Sequence, residues 1–177
     1  MGSRLPPLIE LNIDDAADAL VDRLSRHYDP LSACRVGDKL QIDITGLGSS
    51  QQASIRRDIH FYQANTKVPL ENVCSTLDNY EPKNDTQREA LASARSLVAF
   101  QGMSQPAGLW LHGDTGVGKS HVSVGVAKEF MEQGYNPMFY QCGVDFSSPK
   151  LKPRQVWVID DLNSPYGPDR DFFKGVK

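Results

Sequence analysis

Apolar residues recur along this chain with two periods, and the switches between them mark out its elements. Ala16, Leu20, Leu24 and His27 fall on one side of a helix predicted over residues 16–27. Asp14 or Asp15 would cap it, and Tyr28-Asp29-Pro30 ends it. Residues 39–45 alternate polar and apolar as a half-buried strand does, and Gly46 and Gly48 close that strand. A second helix is predicted from Ser49 or Ser50 to about residue 64, with Ile55, Ile59 and Tyr62 inward. Residues 1–13 contain proline and keep no clean period, so they read as an extended arm. Residues 65–72 read as a linker, which leaves 1–70 as a small α/β N-terminal unit.

The pattern then changes to strands alternating with helices. A helix is predicted over residues 86–100, with Ala90, Leu91, Ala94, Leu97 and Val98 as its apolar face. A short apolar strand follows at 109–112, then a helix over 119–133 with Val122, Val126 and Phe130 at i, i+4 and i+8, stopped by Gly134. Further strands are predicted at 138–142 and 156–159, and a proline-interrupted loop separates them. This order implies a parallel sheet with flanking helices and ligands at the carboxyl ends of its strands. Trp110 and Trp157 sit in predicted central strands and read as core residues rather than base-stacking platforms.

Between the strand at 109–112 and its helix lies Gly113-Asp114-Thr115-Gly116-Val117-Gly118-Lys119-Ser120, a complete G-x-x-x-x-G-K-S sequence. Glycines at these positions let backbone N–H groups turn inward around the phosphates of a nucleotide. Lys119 reaches the β- and γ-phosphates, and the Ser120 hydroxyl ligates Mg²⁺. The strand-before, helix-after context is what this motif requires, and the helix N-terminus adds partial positive charge beneath the phosphates. ATP and Mg²⁺ are the expected ligands.

The second motif is Val156-Trp157-Val158-Ile159-Asp160-Asp161, a buried strand that delivers a carboxylate to the sheet edge. Asp160 would hold Mg²⁺ through water, and Asp161 would polarise an attacking water as general base, with Lys119 the other catalytic candidate. Taken alone, the same residues read as a core strand ending in a two-Asp turn; the preceding glycine-rich loop favours the metal-holding reading. His121 continues the loop into the helix and counts with the nucleotide-contacting residues. Neither His112 nor His121 has partners at metal-ligand spacing, so packing or capping is the expected role of their rings. Asn163 reads as bonding its own turn with Ser164-Pro165.

Composition narrows the class of protein. Lys+Arg and Asp+Glu number 8 and 9 in residues 1–70, and 11 and 13 in 71–177, a net charge of −3 spread evenly. No basic block marks nucleic-acid binding by charge alone, and the short run Lys150-Leu151-Lys152-Pro153-Arg154 reads as a solvated loop. Three widely spaced cysteines, Cys34, Cys74 and Cys142, argue against a disulfide framework or zinc site and fit a reducing cytoplasm. No apolar stretch approaches a membrane span, so no membrane role is expected.

Thr76-Leu77-Asp78-Asn79-Tyr80, followed by Gln87-Arg88-Glu89-Ala90-Leu91 and Ala94, resembles the opening of the bacterial replicative-helicase loaders and the related insertion-sequence transposition ATPases of the AAA+ superfamily. The resemblance covers about residues 76–162. It implies a partial P-loop NTPase core over 71–177, with Asn79 and Tyr80 near the adenine. It also implies ATP-controlled assembly into an open ring or spiral that grips a hexameric helicase and single-stranded DNA, with residues 1–70 contacting the protein partner. Three features depart from the family. Residues 143–155 leave no room for the usual helix, the acidic pair is Asp-Asp rather than Asp-Glu, and the sensor-1 strand, arginine finger and helical lid do not follow. The last departure leads us to expect a fragment of a longer chain. Two further functional classes stay open: a nucleotide-gated protein-interaction module with no DNA role and little or no hydrolysis, and, ranked last, a metabolic kinase.

Overall fold

A computed structural model of the chain describes residues 8–12, 16–65, 67–100, 108–141 and 155–160. These are mixed α/β and cluster into two compact units, one drawn from residues 1–63 and 69–74, the other from 64–68 and 75–177.

The first unit is built on a three-stranded antiparallel sheet. Its strands β1 (Leu8–Asn12), β2 (Ser32–Val36) and β3 (Lys39–Asp43) lie in the order β1-β3-β2, with Leu8 and Ser32 both opposite Asp43. Two of these strands differ from the sequence expectation. The part of the supposed arm at 8–12 pairs with β3 along its whole length, and β2 was not predicted. All five β2 residues are exposed, so no inward-outward alternation exists to be read. The available signal was the turn: Gly37-Asp38 joins Val36 to Lys39, and Gly37 takes φ 63, as two-residue hairpins need.

Alternation in β3 is as expected. Leu40, Ile42 and Ile44 point into the core, while Lys39 and Gln41 both donate to the Glu10 carboxylate across the pair at 3.0 Å. Those bonds hold Glu10 below its ordinary carboxylate range. Against the buried side lie α1 (Ala17–Ser25), through Ala17, Leu20 and Leu24, and α2 (Ser49–Ala64), through Ile55, Ile59 and Tyr62. The buried face of α2 is the predicted one; in α1, Leu20 and Leu24 are buried as predicted, but Ala17 rather than Ala16 is the buried alanine and His27 lies exposed beyond the helix end. Asp14 and Asp15 lie outside the described residues, and Ala16 occupies the α1 N-cap without a side-chain bond.

One polar pair crosses this core. The Tyr28 hydroxyl donates to Asp58 Oδ2 at 2.7 Å, with Asp58 fully buried. Burial first, and then the neighbouring carboxylate, push the Tyr28 phenol well above its ordinary range. A buried carboxylate that loses a donor costs about 1–3 kcal/mol. Tyr28→Phe is therefore expected to lower the thermal midpoint and the denaturant midpoint of the chain, measured by far-ultraviolet circular dichroism.

The second unit contains α3 (Asp85–Ala99), α4 (Lys119–Glu132) and the parallel pair β4 (Asn136–Gln141) and β5 (Gln155–Asp160), registered from Asn136↔Gln155 to Gln141↔Asp160. Helix α4 packs on α3 and on both strands. Ala94 and Val98 meet Val122, Val126 and Leu77 in its core. Asn65, from the supposed linker, is buried and accepts the Phe139 N–H of β4 through Oδ1 at 2.8 Å. The 3₁₀ turn Leu70–Asn72, also from that stretch, packs on α1 in the first unit.

Residues 109–112 correct the expectation of a central strand. Leu109 and Leu111 pack partly buried against the α3–α4 core, but the segment joins no ladder among the described residues. Trp110 between them is 63% exposed, so it is not a core residue. Trp157 in β5 is half-buried, edge-on to Tyr140. No helix among the described residues is long and apolar enough to cross a membrane.

Candidate functional site

The glycine-rich loop turns on left-handed backbone that its glycines alone adopt readily. Gly113 has φ 137, Gly116 φ 82 and Gly118 φ 92. Gly118 stands at the N-cap of α4 and, having no side chain, caps nothing; its carbonyl accepts the Val122 N–H at 3.0 Å. The N–H groups of Lys119, Ser120 and His121 therefore have no partner within the helix. An uncapped first turn suits an anion. Residues Gly113 to Gly116 are exposed and Val117 to Ser120 half-buried.

Lys119 spans this loop. Its ammonium donates to the carbonyls of Gly113 at 2.9 Å and Asp114 at 2.8 Å. Ser120 Oγ donates to Asp160 Oδ2 at 2.7 Å, joining residues 40 apart in sequence. Asp160 reaches this position because β5 ends on it. Asp161, the candidate general base, and Asn163 lie outside the described residues, as do the basic run at 150–154 and the loop around it.

A second ring of contacts lies beneath the loop. Thr76 and Asn79 bond reciprocally: Thr76 N–H to Asn79 Oδ1 at 2.8 Å, and Asn79 N–H to Thr76 Oγ1 at 3.1 Å. His121 Nε2 sits 3.0 Å from the Thr76 carbonyl and 2.8 Å from Asn79 Oδ1. Both are acceptors in this network, which assigns the proton to Nε2. Burial lowers the His121 pKa most, the bond to the Thr76 carbonyl raises it and Lys128 lowers it again. Through its two contacts the ring ties α4 to the 76–79 segment. Among the described residues no group of three or more His, Cys, Asp or Glu could hold a metal ion.

Tyr80 and Gln87 converge on the loop itself. The Tyr80 hydroxyl donates to the Val117 carbonyl at 2.9 Å, and Gln87 Nε2 donates to the same oxygen at 3.3 Å. Gln87 went unassigned in the sequence reading. Its signal there is Asn84-x-x-Gln87 at a helix start, a capping pattern: Asn84 Oδ1 accepts the Gln87 N–H at 2.9 Å, and Gln87 Oε1 accepts the Lys83 N–H at 2.6 Å.

No protein-family model, characterised protein or solved structure matches this chain. The geometry therefore carries the functional argument.

Proposed function

We propose that the chain binds ATP with Mg²⁺ through residues 113–121 and acts as an ATP-controlled assembly factor of the AAA+ type, resembling the helicase loaders. The observation that carries this reading is the Ser120–Asp160 hydrogen bond. A hydroxyl at the first turn of a helix and a carboxylate at the end of a strand are the pair that holds Mg²⁺ in P-loop ATPases. Their 2.7 Å approach supports this reading, as does the helix that follows the loop, whereas residues 109–112 before it join no ladder among the described residues.

The donor set fits a magnesium nucleotide. Loop N–H groups and the uncapped α4 terminus bind phosphate oxygens, and Lys119 exchanges two loop carbonyls for phosphate. Ser120 and Asp160 hold the cation. Bound there, the cation neutralises phosphate charge. Asp161 keeps the role of general base in this reading. Residues 1–70 dock a protein partner, a replicative helicase in the resemblance. Single-stranded DNA and further copies of the chain join an ATP-dependent assembly in the cytoplasm.

Titration calorimetry with Mg-ATP and Mg-ADP tests the reading. Lys119→Ala is expected to abolish binding, and Asp160→Asn is expected to weaken the Mg²⁺-dependent part only. A folded chain that binds no nucleotide, or a Lys119→Ala variant that binds normally, sinks it. The even, slightly acidic charge favours a second reading, a nucleotide-gated protein-interaction module with no DNA role and little or no hydrolysis. Fluorescence anisotropy of a labelled single-stranded oligonucleotide, with and without Mg-ATP, separates the two, and phosphate release measures turnover.

A further inference from the structure

The Val117 carbonyl receives two side-chain donors from a segment some thirty residues earlier. We propose that Tyr80 and Gln87 are positioning residues: by holding this one carbonyl they set the peptide plane that aims the Gly118 N–H at a bound phosphate, and so couple the start of α3 to nucleotide occupancy. The proposal rests on the nucleotide-binding reading of residues 113–121.

A trans peptide points its C=O and N–H in opposite directions. Fixing the Val117 oxygen toward Tyr80 and Gln87 therefore sends the Gly118 N–H to the far side of the plane. One of the two torsions flanking that plane is the φ of Gly118, which at 92 lies in a region glycine enters and leaves cheaply. Without an external hold, this peptide can flip and withdraw its donor. Val117 precedes the helix, so no intrahelical bond restrains its carbonyl either.

Both donors are themselves held. The Tyr80 ring lies against Gly118 so closely that a Cβ there would stand 2.5 Å from Cε2, and it is tilted on His121 at 5.2 Å between centroids. Gln87 is fixed at its backbone N–H by Asn84 and at its side-chain oxygen by the Lys83 N–H. Its amide has one orientation in which both ends are satisfied, and that orientation presents N–H to Val117. A phosphate on the Gly118 N–H polarises the same peptide and strengthens the bonds its carbonyl accepts. Binding and the geometry of residues 80–87 then favour one another, as any coupling between two sites requires.

The chemistry separates this role from packing. Tyr80→Phe keeps the ring on Gly118 and removes only the hydroxyl; Gln87→Leu keeps a side chain of similar size and removes the amide. In full-chain calorimetry with Mg-ATP, each is expected to weaken binding about five- to tenfold, the effect of one hydrogen bond. Because both act on one oxygen, the double variant is expected to depart from the product of the two. The thermal midpoint of the nucleotide-free Tyr80→Phe chain is expected to stay within about 2 °C of the parent. The Gly118 amide signal, followed by NMR without nucleotide, is expected to shift and exchange faster in that variant. If Lys119→Ala abolishes binding while Tyr80→Phe and Gln87→Leu bind like the parent, the positioning role is wrong and the nucleotide site survives. An unmoved Gly118 amide in Tyr80→Phe also overturns it. Loss of affinity matched by an equal loss of nucleotide-free stability assigns Tyr80 to packing alone. Normal binding by Lys119→Ala removes both readings together.

Discussion

Gly118→Ala is expected to weaken Mg-ATP binding by roughly a hundredfold, whereas Gly116→Ala, two residues away, is expected to cost far less. Both glycines are left-handed, φ 92 and φ 82, so alanine at either place costs about 1–2 kcal/mol of backbone strain. Only Gly118 adds a collision. A Cβ there would meet Tyr80 Cε2 at 2.5 Å, Oη at 3.2 Å and Cζ at 3.3 Å, while a Cβ on Gly116 meets nothing within 4 Å. The ring cannot step aside freely. Its hydroxyl is bonded to Val117, its face to the α3–α4 core, and overpacking a held side chain costs a further ~1–3 kcal/mol. Relief comes from moving the loop, which is the proposed binding element, so the cost is expected mainly in affinity. Parallel calorimetric titrations of the two variants read it. Equal effects at 116 and 118 would show that the Tyr80 ring yields, and that its contact with the loop is soft.

The second large effect lies in the packing of α4. Gly125 is buried mid-helix, and a Cβ on it would sit 2.8 Å from the Leu77 nitrogen, 3.0 Å from Leu77 Cδ2 and 3.0 Å from the Thr76 carbonyl carbon. Two of these three atoms are backbone, so no rotamer change clears the space. Helix propensity argues the other way, since alanine gains about 1 kcal/mol over glycine in a helix interior. The collision wins: Gly125→Ala is expected to lower stability by about 1–2 kcal/mol, and Gly125→Val, with a branched Cβ, by about 3 kcal/mol or more. Both tryptophans, Trp110 and Trp157, belong to the second unit. Urea unfolding followed by tryptophan emission therefore reports on the unit that carries the change. A Gly125→Ala chain more stable than the parent would mean that the 76–77 segment moves away at little cost. Because that segment leads into Asn79 and Tyr80, both variants are also expected to weaken nucleotide binding.

The turn of the candidate loop was legible from residue type and spacing. Glycines at 113, 116 and 118 are demanded locally by backbone angle, and local demands are written in local sequence; Lys119 and Ser120 complete the pattern on which the proposed site rests. Helices α2, α3 and α4 were legible for a related reason, because Ile55 and Ile59, Ala94 and Val98, or Val122 and Val126 repeat at the helical period on whichever face is buried. What could not be read is where partners decide. Strand β2 has no buried face, so its residues carry no period. Residues 109–112 have the look of a strand, yet a strand exists only through a ladder to another segment, and none forms among the described residues.

The same division runs through the chemistry. Asp160 was recognisable as a strand-end carboxylate, but its 2.7 Å approach to Ser120 depends on α4 packing across β5. Asn65 reads as linker in the sequence yet accepts the Phe139 N–H, and Gln87, given no role from the sequence, donates to the Val117 carbonyl. By itself the sequence determined which segments are helical and which residue types line the glycine-rich loop, because backbone angles and apolar periods are set by near neighbours. Only the tertiary structure decided which strands pair, and that Tyr80 and Gln87 share one carbonyl. The two contacts to Val117 span 37 and 30 residues, the paired strands are separate segments, and no periodicity of the chain encodes where two such segments will meet.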